Sequence, residues 1–271
     1  MKQLRRNFLM SDYLEAAAES TVAATVYMEV DLDPAQREAE AEFVVEMCGR
    51  DDNPMAGVVI GCSPYEDAFV GYATRFRDSP YVKGFRTVLQ LPDMPRGHCL
   101  GSSFVRGVRA LGEIGKSFDL CMRPSELSDG VKLADQCPDT LFIVDHCGNA
   151  DPLVVNGAVT PDPENPYYHE ADQWRRDMAA LGACENTVCK ISGIVARAPI
   201  GWSAETLAPT VEHCLDSFGP DRIVFGSDWP VCTFGAPLAA WVKALREIVA
   251  SWPEEGQEKL LHTNAERIYK L

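Results

Sequence analysis

Positive charge is scarce in this chain of 271 residues: 25 Lys and Arg stand against 40 Asp and Glu, a formal charge of −15. Such a balance repels phosphate backbones and anionic lipid head groups, so neither nucleic acid nor a membrane surface is an expected partner. Long apolar runs are missing too. No stretch reaches the roughly 18 consecutive apolar residues that read as a membrane span, and the opening "MKQLRRNFLMSDYLEAAAES" turns polar too soon for a signal peptide. The expectation is a soluble, cytoplasmic protein acting on a small molecule. Its oligomeric state is not written in the sequence.

Paired cysteine motifs are absent. The ten cysteines are scattered, with no C-x-x-C, and Cys62, Cys121, Cys147 and Cys189 fall in or at the ends of apolar runs. That pattern predicts buried free thiols rather than disulfides or a structural zinc site. A G-x-G-x-x-G turn after an early strand is also lacking, which removes most support for a dinucleotide-binding fold.

What is present is a repeated alternation. Apolar runs of strand length occur at 21–30, 55–62, 82–89, 117–122, 140–146, 187–193 and 222–228. Between them lie helical patterns such as "PAQREAEAEFVVEMCGR", "SSFVRGVRALGEIG", "ELSDGVKLADQC", "ADQWRRDMAALGACE" and "SAETLAPTVEHCLDSFG". Strands alternating with helices predict right-handed βαβ units, and continuous rather than alternating hydrophobicity predicts strands covered on both faces. With no linker in sight, residues 1–271 read as one domain, a TIM-like (β/α)₈ barrel. A closed barrel of this kind has eight strands and only seven are legible, so the first strand is expected to be missing. The segment "MSDYLEAAAES" reads as a helix capped by Ser11 or Asp12, and the closing "EEGQEKLLHTNAERIYKL" as a helix or helix pair packed on the outside.

In such barrels the reactive groups sit at the C-terminal strand ends. There the sequence places Glu29 and Asp31, Arg86, Arg123, Asp145 and His146, Lys190 and Ser192, and Ser227 and Asp228. His146 is a candidate metal ligand or proton carrier, with a rim histidine bonded to a carbonyl as the plain alternative. Asp228, in "FGSDWPV", is a candidate metal ligand or general base, with a loop-ordering turn acid as its alternative. Arg86 and Arg123 suit a carboxylate or polyol substrate. Glu29 could hold substrate hydroxyls or partner one of these arginines, and Lys190 could lie inside beside an anion or on the helix-covered face. His98 lies in a loop that could cover the site, His169 reads as a cap or rim residue, and His213 and His262 fall on helices expected outside. The long loops 91–103 and 153–170 are where substrate selection is expected.

Taken together and in order, "FIVDHCGNAD", "CKISGIVARA" and "FGPDRIVFGSDWPVC" resemble the amidohydrolase-related family of metal-dependent hydrolases, in its branch of sugar-lactone and dicarboxylate lactonases. "VKGFRTVLQ", "KSFDLCMRPSEL" and "HTNAERIYKL" extend the likeness along the chain. The resemblance implies a distorted (β/α)₈ barrel and hydrolysis of a small cyclic ester by metal- or His/Asp-assisted attack of water. It implies His146 and Asp228 as catalytic residues and metal ligands and Arg86 on the substrate side, where the strand-end reading also places Arg123 and Glu29. The family's opening His-x-His strand has no counterpart here, since His98 is the first histidine. Either Met1 is an internal methionine of a longer protein, the preferred expectation, or the chain is a shortened relative. A divalent ion, zinc first, would then be held weakly or not at all, and a barrel that only binds a small acid or partner, or one that decarboxylates, stands as the alternative function.

Overall fold

The structure is a computed structural model that describes residues 4–271. Seven parallel strands follow one another in space as they do in sequence: β1 (Thr25–Met28), β2 (Met55–Gly61), β3 (Val82–Val88), β4 (Ser117–Cys121), β5 (Phe142–Val144), β6 (Thr187–Ile191) and β7 (Ile223–Phe225). Each predicted apolar run holds one strand, shorter than the run. The register carries Arg86 opposite Asp119, Asp119 opposite Ile143, and Lys190 opposite Val224. The result is an incomplete TIM-like barrel: among the described residues β1 pairs only with β2 and β7 only with β6. β1 is half-buried at all four residues, whereas β4, β5 and β6 are buried throughout, because one edge of β1 lacks a ladder partner among the described residues.

Helices cover the outside: α1 (Met10–Ala16), α2 (Arg37–Cys48), α3 (Phe69–Thr74), α4 (Ser102–Glu113) and α5 (Leu127–Gln136), then the kinked turn α6 (His146–Asn149) and the short α7 (Pro152–Val155). After these come α8 (Ala171–Ala183), α9 (Ala204–Phe218), α10 (Leu238–Ile248) and α11 (Glu254–Glu258) on the outside, and the chain ends in α12 (Asn264–Tyr269), which lies elsewhere. Their starts follow local chemistry. Asp151 accepts from the Leu153 amide at 2.9 Å with Pro152 at the first position of α7, and Ser203 opens α9 through a reciprocal bond with Thr206. The expected cap of α1 is corrected: Leu9 holds that position, and Asp12 instead accepts from the Leu9 amide at 2.7 Å from the third helical residue. None of the described helices is long and apolar enough to cross a membrane. All ten cysteines are free and all but Cys184 are buried.

The closing segment is a second correction. A helical turn of wider pitch (Lys259–Thr263) leads into α12, which lies across the barrel's N-terminal end rather than outside the helical ring. Ala265 and Ile268 pack on Ile143, Val188 and Val224, whose side chains point inward. Asn264 donates to the carbonyls of Pro220 (2.7 Å) and Ile223 (2.8 Å), which locks this plug to the start of β7. An apolar floor beneath and an open rim above leave the middle of the barrel for charge.

Candidate active site

That middle holds a chain of buried ions. Arg86 donates from Nε to Glu29 Oε1 (2.6 Å), from Nη1 to Asp145 Oδ2 (3.0 Å) and from Nη2 to the Glu29 carbonyl. Lys190 donates to Asp145 Oδ1 at 2.6 Å and to Asp119 Oδ2 at 2.7 Å. Every member is buried, with Asp145 and Asp119 fully so. Unpaired, any of these charges would cost several kcal/mol of desolvation; in a chain each ion compensates its neighbours. Burial opposes the charge on Lys190 and Arg86, yet the carboxylates beside them hold both well above their usual pKa. Burial raises Asp119 to about 6. At Asp145 burial works the same way, but Lys190, His146 and Arg86 outweigh it and hold the carboxyl below the ordinary range.

From this base β5 delivers His146 to the rim. Asp145 still points inward, and the next four residues, His146, Cys147, Gly148 and Asn149, all take left-handed φ of 51° to 66°. Three of them carry a Cβ, a conformation that costs on the order of 1–3 kcal/mol per residue unless its surroundings enforce it. Here they do. Trp174 Nε1 donates to the Cys147 carbonyl at 3.0 Å, Asn149 Nδ2 to the Met122 carbonyl at 2.9 Å, and Cys147 is fully buried. At Gly148 a Cβ would approach the sulfur of Met178 to 2.7 Å, so glycine is required for space as well as for φ.

The imidazole of His146 is set by the residues just after β6. Nδ1 lies 2.9 Å from the Ser192 hydroxyl, and Nε2 lies 3.9 Å from Asp228 Oδ1 across the rim. Gly193 (φ 73°) sits against the ring: an added Cβ would come within 2.6 Å of His146 Cβ and Cγ. Asp228 follows β7 and also adopts a left-handed φ, 52°. Burial raises its pKa, with His146 and Arg86 opposing the rise. The indole of Trp229 beside it is packed edge-on by Phe8 (5.3 Å) and Tyr13 (5.5 Å), so α1 and the residues before it form one wall of the site.

The arginines expected on the substrate side are differently employed. Glu29 and Asp145 take up the guanidinium of Arg86, so it organises the interior. Arg123 pairs with Glu126 and donates to the carbonyls of Leu91 (2.6 Å) and Met94 (2.9 Å), pinning the start of the long loop 91–103. Lys190 is interior, beside two anions. The arginine with donors to spare is Arg197, which was not singled out from the sequence. It follows β6, makes one bond to Asn149 Oδ1 (3.2 Å), and lies 4.3 Å over the Tyr167 ring. No carboxylate among the described residues is within ion-pair distance of it, and burial lowers its pKa. Asp151, Cys121 and Asp228 are among the groups that act on its charge, which places it on the same rim. Its signal, an arginine shortly after a strand end, was visible in "CKISGIVARA" but no different from that of its neighbours.

The other histidines lie elsewhere. His98 packs on Tyr65 (4.7 Å) and Phe104 rather than covering the rim. His169 is buried, accepting from the Asp151 amide at 3.3 Å, so it braces the 153–170 loop. His213 contacts the Arg175 carbonyl at 2.9 Å, and His262 is exposed near Glu266.

For a metal, His146 Nε2 and Asp228 Oδ1 are the donors suited to a divalent ion. Cys121 and Asp145 also lie close to His146, but both oxygens of Asp145 are committed to cations. A catalytic zinc takes three protein ligands, so this pair is an incomplete set among the described residues.

The amidohydrolase family profile matches residues 3–271. The chain belongs to that family. Among curated relatives of this amidohydrolase, the L-fucono-1,5-lactonase of Burkholderia multivorans is 29% identical over 184 residues, 64% of this chain and 56% of its own length. The L-rhamnono-gamma-lactonase of Scheffersomyces stipitis is 23% identical over 80% of this chain and 68% of its own. A Burkholderia multivorans amidohydrolase solved with bound zinc superposes with a TM-score of 0.86 at 23% identity, covering 100% of this chain and 91% of that one.

Proposed function

We propose that this amidohydrolase opens small sugar-acid lactones by adding water to the ring ester. The carrying observation is the face-to-face placement of His146 Nε2 and Asp228 Oδ1, 3.9 Å apart at the rim. One water oxygen about 2.8 Å from each would span that gap. Asp228, ionised, takes a proton from this water as it attacks the carbonyl carbon. His146, with Nδ1 accepting from the Ser192 hydroxyl, carries its ring proton on Nε2 and donates it as a hydrogen bond to the reacting carbonyl oxygen; the proton held by Asp228 then passes to the alkoxide that leaves as the ring opens. Arg197 offers its free donors to the substrate's hydroxyls or carboxylate, and Glu29 with Arg86 fixes the strand ends beneath.

A divalent ion bound by His146 and Asp228 would polarise the same carbonyl. With two protein ligands its hold would be weak, so metal affinity belongs with the reading rather than beneath it. The names of the two lactonases and the polar rim support sugar-acid lactones over other esters. The test is direct: the purified chain is offered 1,5- and γ-lactones of sugar acids and acid release is followed with a pH indicator. Turnover that disappears in Asp228→Asn supports the reading. Tight binding of the same compounds without turnover identifies a barrel that binds and does not catalyse.

A further inference from the structure

Behind the wall that carries His146 lies a cluster that lactone hydrolysis does not use. Cys147, Cys189 on β6 and Cys214 on α9 are fully buried, and their sulfurs all lie within 4.8 Å of one another. Three distant parts of the sequence meet here for geometric reasons. Side chains alternate along β6, so Lys190 points into the barrel and Cys189 away from it, toward α9. The left-handed turn after His146 sends the Cys147 side chain to the same layer, with Sγ 3.9 Å from the Lys190 carbonyl. All three thiols are free.

We propose that Cys147, Cys189 and Cys214 form a three-coordinate site for monovalent copper. A thiolate-bound d10 ion about 2.3 Å from each of three sulfurs sets those sulfurs about 4 Å apart, within the spacing found. Soft sulfur donors select Cu(I). Zinc asks for a fourth ligand, and among the described residues the group is three sulfurs embedded in apolar core. On binding, three Cu–S contacts form, the displaced thiol protons pass to water, and no electron is transferred. Two ionised sulfurs leave the centre at −1, a smaller burden in an apolar layer than three. The site is closed in the folded chain, so it fills during folding or when α9 opens locally. The ion would tie β6, α9 and the residue next to His146 together.

The chain is produced with copper, purified under reducing conditions without oxygen, and challenged with a coloured Cu(I) chelator. The wild type is expected to retain about one copper per chain. Cys189→Ser and Cys214→Ser each should lower retention at least tenfold, whereas Cys121→Ala, at the rim, and Cys137→Ala, a buried thiol elsewhere, should not. No copper kept by the folded wild type overturns the proposal, as does a Cys121→Ala loss equal to that of Cys214→Ser. Should a serine variant unfold by circular dichroism, X-ray absorption of the copper-loaded wild type decides: three sulfur neighbours uphold the site and nitrogen or oxygen neighbours refute it.

Discussion

The Nδ1 atom of His146 lies 2.9 Å from the hydroxyl of Ser192, a residue brought alongside by the next strand. That bond fixes the ring plane and leaves Nε2 turned toward Asp228. The serine rotor serves either tautomer: donating to Nδ1 it leaves the ring proton on Nε2 for the substrate carbonyl, and accepting from Nδ1 it frees the Nε2 lone pair for a metal ion.

Displacing this ring should slow hydrolysis without unfolding the barrel. Gly193→Ala drives a Cβ into the imidazole at a positive φ, and a shift of about 1 Å in a reacting group can cost roughly 100-fold. Ser192→Ala, which removes one hydrogen bond worth about 1 kcal/mol, should cost roughly fivefold. Steady-state kcat for the two variants, with circular dichroism as the folding check, tests the order. Full activity in Gly193→Ala removes His146 from the reaction.

Asp228→Asn should reduce kcat by about 100- to 10,000-fold, the range expected for loss of a general base. The substitution keeps the size and the left-handed turn, since Asn tolerates positive φ. Retained turnover would transfer the base role elsewhere.

Two arginines should separate cleanly. Arg197→Gln removes donors with no carboxylate partner, so it should raise KM by roughly ten- to a hundredfold, corresponding to about 1.5–3 kcal/mol for a hydrogen bond to a charged group, with kcat less affected. Arg123→Gln should instead lower thermal stability by freeing the carbonyls of Leu91 and Met94 and stranding Glu126. A KM effect larger for Arg123→Gln than for Arg197→Gln would reverse the assignment.

The interior ions predict a pH signature. Asp145 is held below its ordinary value of 3.8, so the stability it contributes is fully present above that pH and is lost as pH falls through the folded-state value. Asp145→Asn should therefore cost about 3–5 kcal/mol near neutral pH, leaving Arg86 and Lys190 short of an anion. The difference from wild type, measured by urea unfolding, should shrink as pH falls below 3.8. A penalty independent of pH would mean the chain of ions contributes no linked stability.

How far the sequence could be read depended on the range of the interaction. Every strand was legible because burial on both faces writes itself as a short apolar run, and the run 187–193 predicted β6 from composition alone. The last helix was misplaced because the apolar residues of "NAERIYKL" say that one face is covered, not by what. Arg86 and Arg123 looked like substrate grips since each adjoins a strand end. Only the fold shows Glu29, separated by 57 positions, taking the first and Glu126 with two loop carbonyls taking the second. Arg197 went unnoticed for the converse reason: a free donor is defined by partners that are absent in space.

By itself, then, the amino-acid order determined the βαβ alternation, the burial of the thiols, the acidic surface and the delivery of His146 and Asp228 to strand ends, because periodicity and local backbone preference act over a few residues. Tertiary structure alone decided that Asp145 faces two cations, that α12 floors the barrel, that Nε2 of His146 meets Asp228, and that three cysteines converge behind them. Those outcomes depend on strand register and on side chains tens of residues apart competing for the same partner, and no local pattern encodes that competition.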